Sequence, residues 1–585
     1  MLFGKHVNRY YLKYWYMFLG GIIALILVDI AQLEIPNNYG YLIDYIQTKT
    51  LTKELLGEIV RNILIILVIM FTGRFFWRIC IFGLAIRVED DLRKRMFFHM
   101  ESLSQNYFQV NKTGAQMALY TNDLQTVRRS FGEGLIMLID AIFLGGLSFY
   151  KMFCLNPILA IIAAVPMLIL ACCGGIIGKY MDKKWGARQK AYENLSDFTQ
   201  ENFSGISVIK AFVKEAKELR AFSKINKDNE VKNVEFVKAA VLLDVLITLL
   251  INIITMIIVG IGSYLVIKGT EGFSVGDLSR YISYFSTLLW PMMAMGQLIN
   301  IVSQSKASLK RINKLMDEKP DVVDAPDVIT NATLEGGITF NKVTFTYPLA
   351  EDAILHDVSF KIEPGETVGI IGHTGSGKTT IVDLLTRVYN VPENNILIDG
   401  YDIMKLPVKQ VRDLISYVPQ DNFLFGDTII SNIGFSKQKI TLEEAKHYAT
   451  VAGVAEDIEG FKDKYNTILG ERGVTLSGGQ KQRISIARAL VKDAKVLILD
   501  DSVSAVDTKT EATILHNLAA YNHKKTVILI AHRISTVVNA DKIILIDDGR
   551  IIATGNHEEL LKTVPMYQET VRLQQLESEL TKEDM

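Results

Sequence analysis

The most specific chemistry in this chain lies in Gly372-His373-Thr374-Gly375-Ser376-Gly377-Lys378-Thr379, an intact G-x-x-x-x-G-K-[ST] loop. Its flanks agree with that reading, because Thr367–Ile371 has the apolar pattern of a strand and Thr380-Ile381-Val382-Asp383-Leu384-Leu385 that of a helix. Loop N–H groups and a helix N-terminus would then point at phosphate oxygens. Lys378 is placed to reach the outer phosphates and the Thr379 hydroxyl to ligand Mg²⁺, which makes Gly372 to Thr380 a candidate nucleotide cradle. A second element, Val496-Leu497-Ile498-Leu499-Asp500, reads as a buried strand presenting a carboxylate at its C-terminal edge. Between the two, Leu476-Ser477-Gly478-Gly479-Gln480 offers a hydroxyl and N–H donors at another helix start. A nucleotide on the chain's own loop already has its cradle, so this second nest is left over in a single chain.

The elements that carry these residues occupy only the second half. The chain has 585 residues, 49% of them hydrophobic, and its apolar residues form long runs before about residue 305 but short bursts after about residue 335. That pattern predicts a polytopic, all-α membrane domain followed by a soluble α/β domain that carries the phosphate loop. A spanning helix needs about 20 mostly apolar residues, since backbone groups cannot be left unsatisfied in lipid. Six segments qualify, at 15–35, 63–86, 135–153, 158–178, 243–267 and 278–302. The first follows Lys5, Arg9 and Lys13 like a signal peptide, but it is too long, has no small-x-small cleavage site and reads as a span.

Basic residues set the orientation. The connections 87–129 and 179–238 are rich in Lys and Arg, and both are predicted to face the cytoplasm together with both ends of the domain. Both also read as helical, over Arg87–Leu103 and Asp197–Phe222, with turns near Gln109–Gln116 and Glu201–Lys210 that are candidate contacts to a soluble domain. The predicted boundaries are 1–315 for the membrane domain, 316–335 for a linker, 336–575 for the ATPase domain and 576–585 for a tail. A formal net charge of −1 offers no field for a polyanion, which excludes nucleic acid as the expected partner. Cys80, Cys154, Cys172 and Cys173 lie in or beside apolar runs, with neither disulfide nor zinc spacing.

Leu-Ser-Gly-Gly-Gln at 476–480, after the phosphate loop and before the Asp500 strand, resembles the signature of ABC ATPases. Other residues fall into the order of that family. Tyr347 matches the aromatic that stacks on adenine, and Gln420 matches the glutamine that joins Thr379 and Asp500 around the magnesium. Ser504, Ala505 and Asp507 match the D-loop, and His532 the switch histidine. Six spans before one ATPase domain resemble the half-transporters of the type IV, multidrug-type exporter group, with Glu201–Lys210 similar to their second coupling segment and Asn111–Gly114 to the approach to the first. The resemblance implies ATP and Mg²⁺ as cofactors and a dimer in which Leu476 to Gln480 closes over ATP held by the partner. It further implies a hydrophobic or amphipathic substrate or a lipid, and residence in a bacterial cell membrane with the ATPase domain cytoplasmic.

One residue departs from the family pattern. The position after Asp500 is normally glutamate, the group that polarises the attacking water, and here it is Asp501. With an intact signature, this resembles one subunit of heterodimers that pair a degenerate site with an active one. Asp501 and His532 are then the candidate catalytic residues of a weak site, and a second half-transporter is the expected partner. A slow homodimer, a lipid or glycan flippase and an exporter-fold importer of a metal chelate remain alternatives. Within the spans, Arg74, Arg78, Asp29 and Glu34 read as intramembrane ion pairing or as a polar substrate site. Tyr281, Tyr284, Phe285, Trp290 and Met292–Met295 read as packing or as an adaptable cavity wall, with Pro291 expected to kink the helix.

Overall fold

The computed structural model of the chain describes residues 4–583 apart from 112, 270–271, 349, 471–472, 474, 503–507 and 522–524, and over 166–179, 508–509 and 577–583 it describes backbone only. The chain folds as two compact units, Met1–Phe98 with Gln116–Asp317, and His99–Ala115 with Glu318–Met585. The short stretch His99–Ala115 therefore belongs to the soluble unit although both its flanks belong to the membrane unit.

In the membrane unit the long helices are α1 (Trp15–Gln47), α2 (Lys53–Ser102), α4 (Glu133–Leu155), α5 (Pro157–Ser204), α7 (Glu215–Lys268) and α8 (Val275–Asp317). Short helices lie between the long ones, among them α6 (Ile206–Ala211) and, within the His99–Ala115 stretch of the other unit, α3 (Gln105–Val110). Among the described residues five helices are long and apolar enough to cross a membrane, the run through α4 being counted from Thr113. The expected span at 158–178 is helical as part of α5, but side chains 166–179, with Cys172 and Cys173, lie outside the described residues. A helix of 50 residues such as α2 is about 75 Å long at 1.5 Å per residue, against a hydrocarbon core of about 30 Å. Helices α2, α5, α7 and α8, of 43 to 54 residues, are thus far longer than a bilayer requires, as the polar extensions in the sequence imply.

Local chemistry sets the helix ends. The Asn156 carboxamide oxygen accepts the Leu159 N–H at 2.9 Å and Pro157 follows at the first helical position, so the hairpin between α4 and α5 turns on a cap and a proline together. The turn expected near Glu201–Lys210 lies at Gly205, and a second break follows within the helical stretch Asp197–Phe222. Gly205 ends α5, and Val213, with φ of +52°, separates α6 from α7. A β-branched residue in that conformation is strained, and it breaks a pattern that periodicity alone would continue.

The unit's core runs along α4 and α8, where Leu144 and Met152 meet Tyr281, Tyr284, Phe285 and Leu288. The three aromatic residues are buried within one chain, so they are packing residues. Trp290, Met293 and Met295 are exposed on the isolated chain, and α8 continues through Pro291. Gly145 lets α4 approach Pro291 closely, since a Cβ there would lie 3.2 Å from the proline ring. Polar residues tie the bundle. Lys151 pairs with Glu34 at 2.9 Å, the Trp290 indole N–H donates to Asp140 at 3.0 Å, and Asp123 accepts from Ser308 and Arg311. The acid–base pairing expected of Glu34 is therefore with a lysine of α4; Arg74 reaches Gln32 and Arg78 lies over the Trp77 ring.

The soluble unit holds two sheets. β1 (Ile338–Phe345), β2 (Leu355–Ile362), β4 (Ile396–Ile398) and β5 (Tyr401–Asp402) form an antiparallel sheet in the order β2-β1-β4-β5. The main sheet has the order β10-β9-β3-β8-β7-β6, from β3 (Thr367–Ile371), β6 (Ile415–Val418), β7 (Val496–Asp500), β8 (Thr526–Ala531), β9 (Lys542–Asp547) and β10 (Arg550–Gly555). It is parallel except at β10. Every residue of β7 and β8 is buried, as expected of central parallel strands covered on both faces. Alternate residues feed two cores: Val496, Ile498, Ile528 and Ile530 join one, and Leu497, Leu499, Val527 and Leu529 the other.

Ile498 is fully buried in the middle of β7. Ile498→Ala is expected to cost about 2–5 kcal/mol, read as a lower unfolding midpoint of the solubilised chain; an unchanged midpoint would mean that this strand is not central to the sheet.

Candidate functional site

Strand register brings the expected site residues to one edge. β3 pairs with β8 so that Ile371 lies opposite Ala531, and β7 pairs with β8 so that Asp500 lies opposite Ile530. Three strands thus end side by side, and the residues that follow them, Gly372, Asp501 and His532, leave the sheet at the same edge. In an open α/β sheet that carboxyl edge is where ligands bind.

The phosphate loop turns through Gly375 and Gly377, whose φ angles of +86° and +96° are accessible to glycine and strained for other residues. Gly377 caps helix α9 (Lys378–Leu385). The Lys378 ammonium donates to the carbonyls of Gly372 at 2.9 Å and His373 at 2.8 Å, which folds the lysine back over its own loop. Burial lowers its pKa from the usual lysine value, opposed by the charges of Asp500 and Asp501. A buried cation whose hydrogen-bond partners, two carbonyls and the Ser376 hydroxyl, are all neutral is a strong attractor for an anion.

Thr379 donates its hydroxyl to Asp500 at 3.0 Å, and the Tyr417 hydroxyl donates to the same carboxylate oxygen at 3.2 Å. Burial raises the Asp500 pKa above the ordinary carboxylate range, with those two hydrogen bonds opposing the rise. A hydroxyl and a carboxylate side by side are the hard oxygen donors that suit Mg²⁺. Gln420 follows β6 and is exposed, and its carbonyl accepts from Asn422. Asp501 is half-buried with φ of +45°, donates its N–H to the Ile530 carbonyl at 2.8 Å and accepts at its own carbonyl from Gln482. Asp is among the residues that tolerate this backbone region.

His532 is half-buried beside His373 and Thr374 in a cavity of about 260 Å³, closed on its far side by Met566, Thr570 and Gln574 of the C-terminal helix. The Gln574 carboxamide grips the switch loop at two points, donating to the His532 carbonyl at 2.7 Å and accepting the Ile534 N–H at 2.8 Å. Tyr347 directs its hydroxyl to Thr380 at 3.0 Å and Asp383 at 3.2 Å. Burial pushes the Tyr347 hydroxyl up to about 12 and the Asp383 carboxyl up to about 6.

The signature segment starts helix α10 (Gly478–Val491), with Ser477 and Gln480 forming a reciprocal capping box. The Gln480 amide also reaches Asp457 at 2.9 Å, and Arg483 pairs with the same carboxylate at 2.8 Å. Ser477 and Gly478 are exposed. Ile484, Ile486, Leu490 and Leu476 pack in one core of the sheet, whereas Ile381, Val382, Leu384 and Leu385 of α9 pack in the other. The phosphate loop and the signature segment are therefore built on opposite faces of the sheet. Ser504, Ala505 and Asp507 lie outside the described residues.

Several site residues carry no motif. Tyr417 and Asp383 act through a hydroxyl or carboxyl that folding brings to Asp500 and Tyr347, and Gln574 lies 42 residues beyond the loop it holds. Tyr417 alone had a local signal, standing three residues before Gln420 on the strand that precedes it.

Comparison with known proteins agrees with this geometry. Residues 18–292 match the family model described as "ABC transporter transmembrane region" and residues 355–504 that described as "ABC transporter". The "Probable multidrug resistance ABC transporter ATP-binding/permease protein YheI" of Bacillus subtilis is 35% identical over 98% of this chain and 97% of its own length. The "Multidrug resistance-like ATP-binding protein MdlA" of Escherichia coli is 33% identical over 98% and 97%. A bacterial Atm1-family ABC exporter solved with ATP bound superposes with a TM-score of 0.76 at 25% identity, over 95% of this chain and 98% of that one. With both family models matched in order and relatives above 30% identity over nearly the whole chain, this membrane unit of long apolar helices joined to an α/β ATPase unit makes the chain a member of the ABC transporter family, coupling ATP hydrolysis to transport.

Proposed function

We propose that the chain is the unequal half of a heterodimeric exporter of hydrophobic or amphipathic compounds, in a bacterial cell membrane with its ATPase domain in the cytoplasm. Its own site holds ATP more than it hydrolyses it. In this reading Tyr347 stacks on adenine, Gly372 to Thr380 cradle the phosphates, and Thr379, Asp500 and Gln420 hold Mg²⁺. The metal, when bound, neutralises phosphate charge. His532 senses the outer phosphate, and Ser504, Ala505 and Asp507 line the contact between the two ATPase domains.

The observation that carries the proposal is Asp501 beside an intact Leu476–Gln480. Aspartate is one methylene shorter than glutamate, and a misplacement of about 1 Å can cost roughly 100-fold in rate. The signature keeps its serine, its glycines and its capping box, with Ser477 and Gly478 exposed. Its place on the opposite face of the sheet from α9 supports a role toward nucleotide on another chain. The names of the two multidrug-type relatives support the substrate class.

Purified alone, the chain is expected to bind ATP but hydrolyse it slowly. Brisk ATPase of the isolated chain that Asp501→Asn abolishes would contradict the unequal pair. Acidification supplies a second test. A protonated carboxyl cannot ligand a metal, so Mg²⁺-dependent ATP binding should be complete above the raised pKa of Asp500 and lost below it. Titrated with a fluorescent ATP analogue, the loss should begin at a higher pH than an ordinary aspartate near 3.9 would give. It should vanish in Asp500→Asn, and a flat profile in the native chain would remove Asp500 from the metal site.

A further inference from the structure

Helix α3 belongs to the soluble unit and buries none of its residues fully, and polar contacts tie it to that unit. Those contacts reach Tyr389 directly and Asp321, whose carbonyl is in turn held by Asn390 next to Tyr389. The Gln109 carboxamide donates to the Tyr389 hydroxyl at 2.6 Å. Asn106 donates to the Asp321 carboxylate at 2.9 Å, and Asn390 donates to the Asp321 carbonyl at 2.8 Å. Ser104, just before α3, accepts the N–H groups of Asp321 and Val322 at 2.8 and 3.0 Å.

Tyr389 is 3% exposed, and its ring closes a triangle with Phe345 and Tyr347 at centroid distances of 5.5 and 5.2 Å, the third side being 5.1 Å. The contact between the two tyrosines is edge-to-face, at 84°, the geometry in which ring quadrupoles attract. Tyr347 in turn bonds Thr380 and Asp383 in the first turns of α9. Burial raises the Tyr389 hydroxyl pKa, so it stays protonated at neutral pH and free to accept from Gln109. One buried phenol thus faces the adenine-side aromatic with its ring and α3 with its oxygen.

We propose that Tyr389 is a positioning residue that ties the plane of Tyr347 to helix α3, so that nucleotide on the Tyr347 ring tightens the Gln109 contact. The proposal rests on Tyr347 as the adenine platform. By chain continuity α3 follows directly on α2, which begins in the membrane unit. A helix without buried residues is held at the low end of local stability, where one hydrogen bond changes its opening measurably.

The test is hydrogen–deuterium exchange of the segment 104–110 in the full-length chain in lipid nanodiscs, with and without Mg–ATP. Fluorescent-ATP affinity is measured on the same samples. ATP should slow exchange in that segment by about fivefold, the size of one neutral hydrogen bond. Y389F keeps the ring and loses the phenol oxygen, and Gln109→Ala loses the donor. Each should remove most of that slowing and, because the coupling is reciprocal, weaken ATP binding by no more than about the same fivefold. The double variant should be no worse than either single one, the mark of a shared contact. A Y389F chain whose α3 segment responds to ATP as the native chain does would overturn the relay. So would additive loss in the double variant. Unchanged ATP affinity in Tyr347→Ala would instead remove the platform on which the proposal rests, and that outcome is read separately.

Discussion

Everything the ATPase unit can do depends on the register in which β3, β8 and β7 pair. Because Ile371 lies beside Ala531 and Asp500 beside Ile530, three separate stretches of sequence leave the sheet at one edge. A shift of one residue would turn each side chain to the other face of the sheet and separate Thr379 from Asp500. The fully buried, branched aliphatic residues of β7 and β8 hold that register, since each must fit one of two distinct cores.

The same sheet holds the two glycine-rich helix starts apart. With α9 on one face and α10 on the other, the phosphate loop and the signature helix grow out of different cores. The buried Lys378 ammonium is satisfied by its own loop's carbonyls, and Ser477 caps its own helix. Both ends are locally stable and chemically unfinished, which suits a protein whose work begins when a ligand and a second domain arrive.

Much of this was legible in the sequence because the site is made of contiguous motifs. A glycine-rich loop, an aliphatic strand ending in Asp500 and a serine–glycine helix start each announce their backbone geometry over five to eight residues. The long apolar runs were equally plain. What was hidden depends on tertiary distance. Tyr389 looks like an ordinary core tyrosine until Gln109 is brought to its hydroxyl, and Gln574 like a helix-surface glutamine until the His532 loop is laid against it. The break at Val213 was hidden because a β-branched residue with positive φ opposes local preference. In the membrane unit, charge alone could not say that Glu34 would find Lys151.

The central claim is that this chain contributes its signature helix, more than its Asp501 carboxylate, to hydrolysis. The most direct measurement is the ATPase rate of the chain assembled with the proposed partner half-transporter, comparing Ser477→Ala with Asp501→Asn on this chain. The account predicts that Ser477→Ala abolishes most of the activity and that Asp501→Asn leaves most of it. The reverse result, with activity lost on Asp501→Asn and kept on Ser477→Ala, would contradict it.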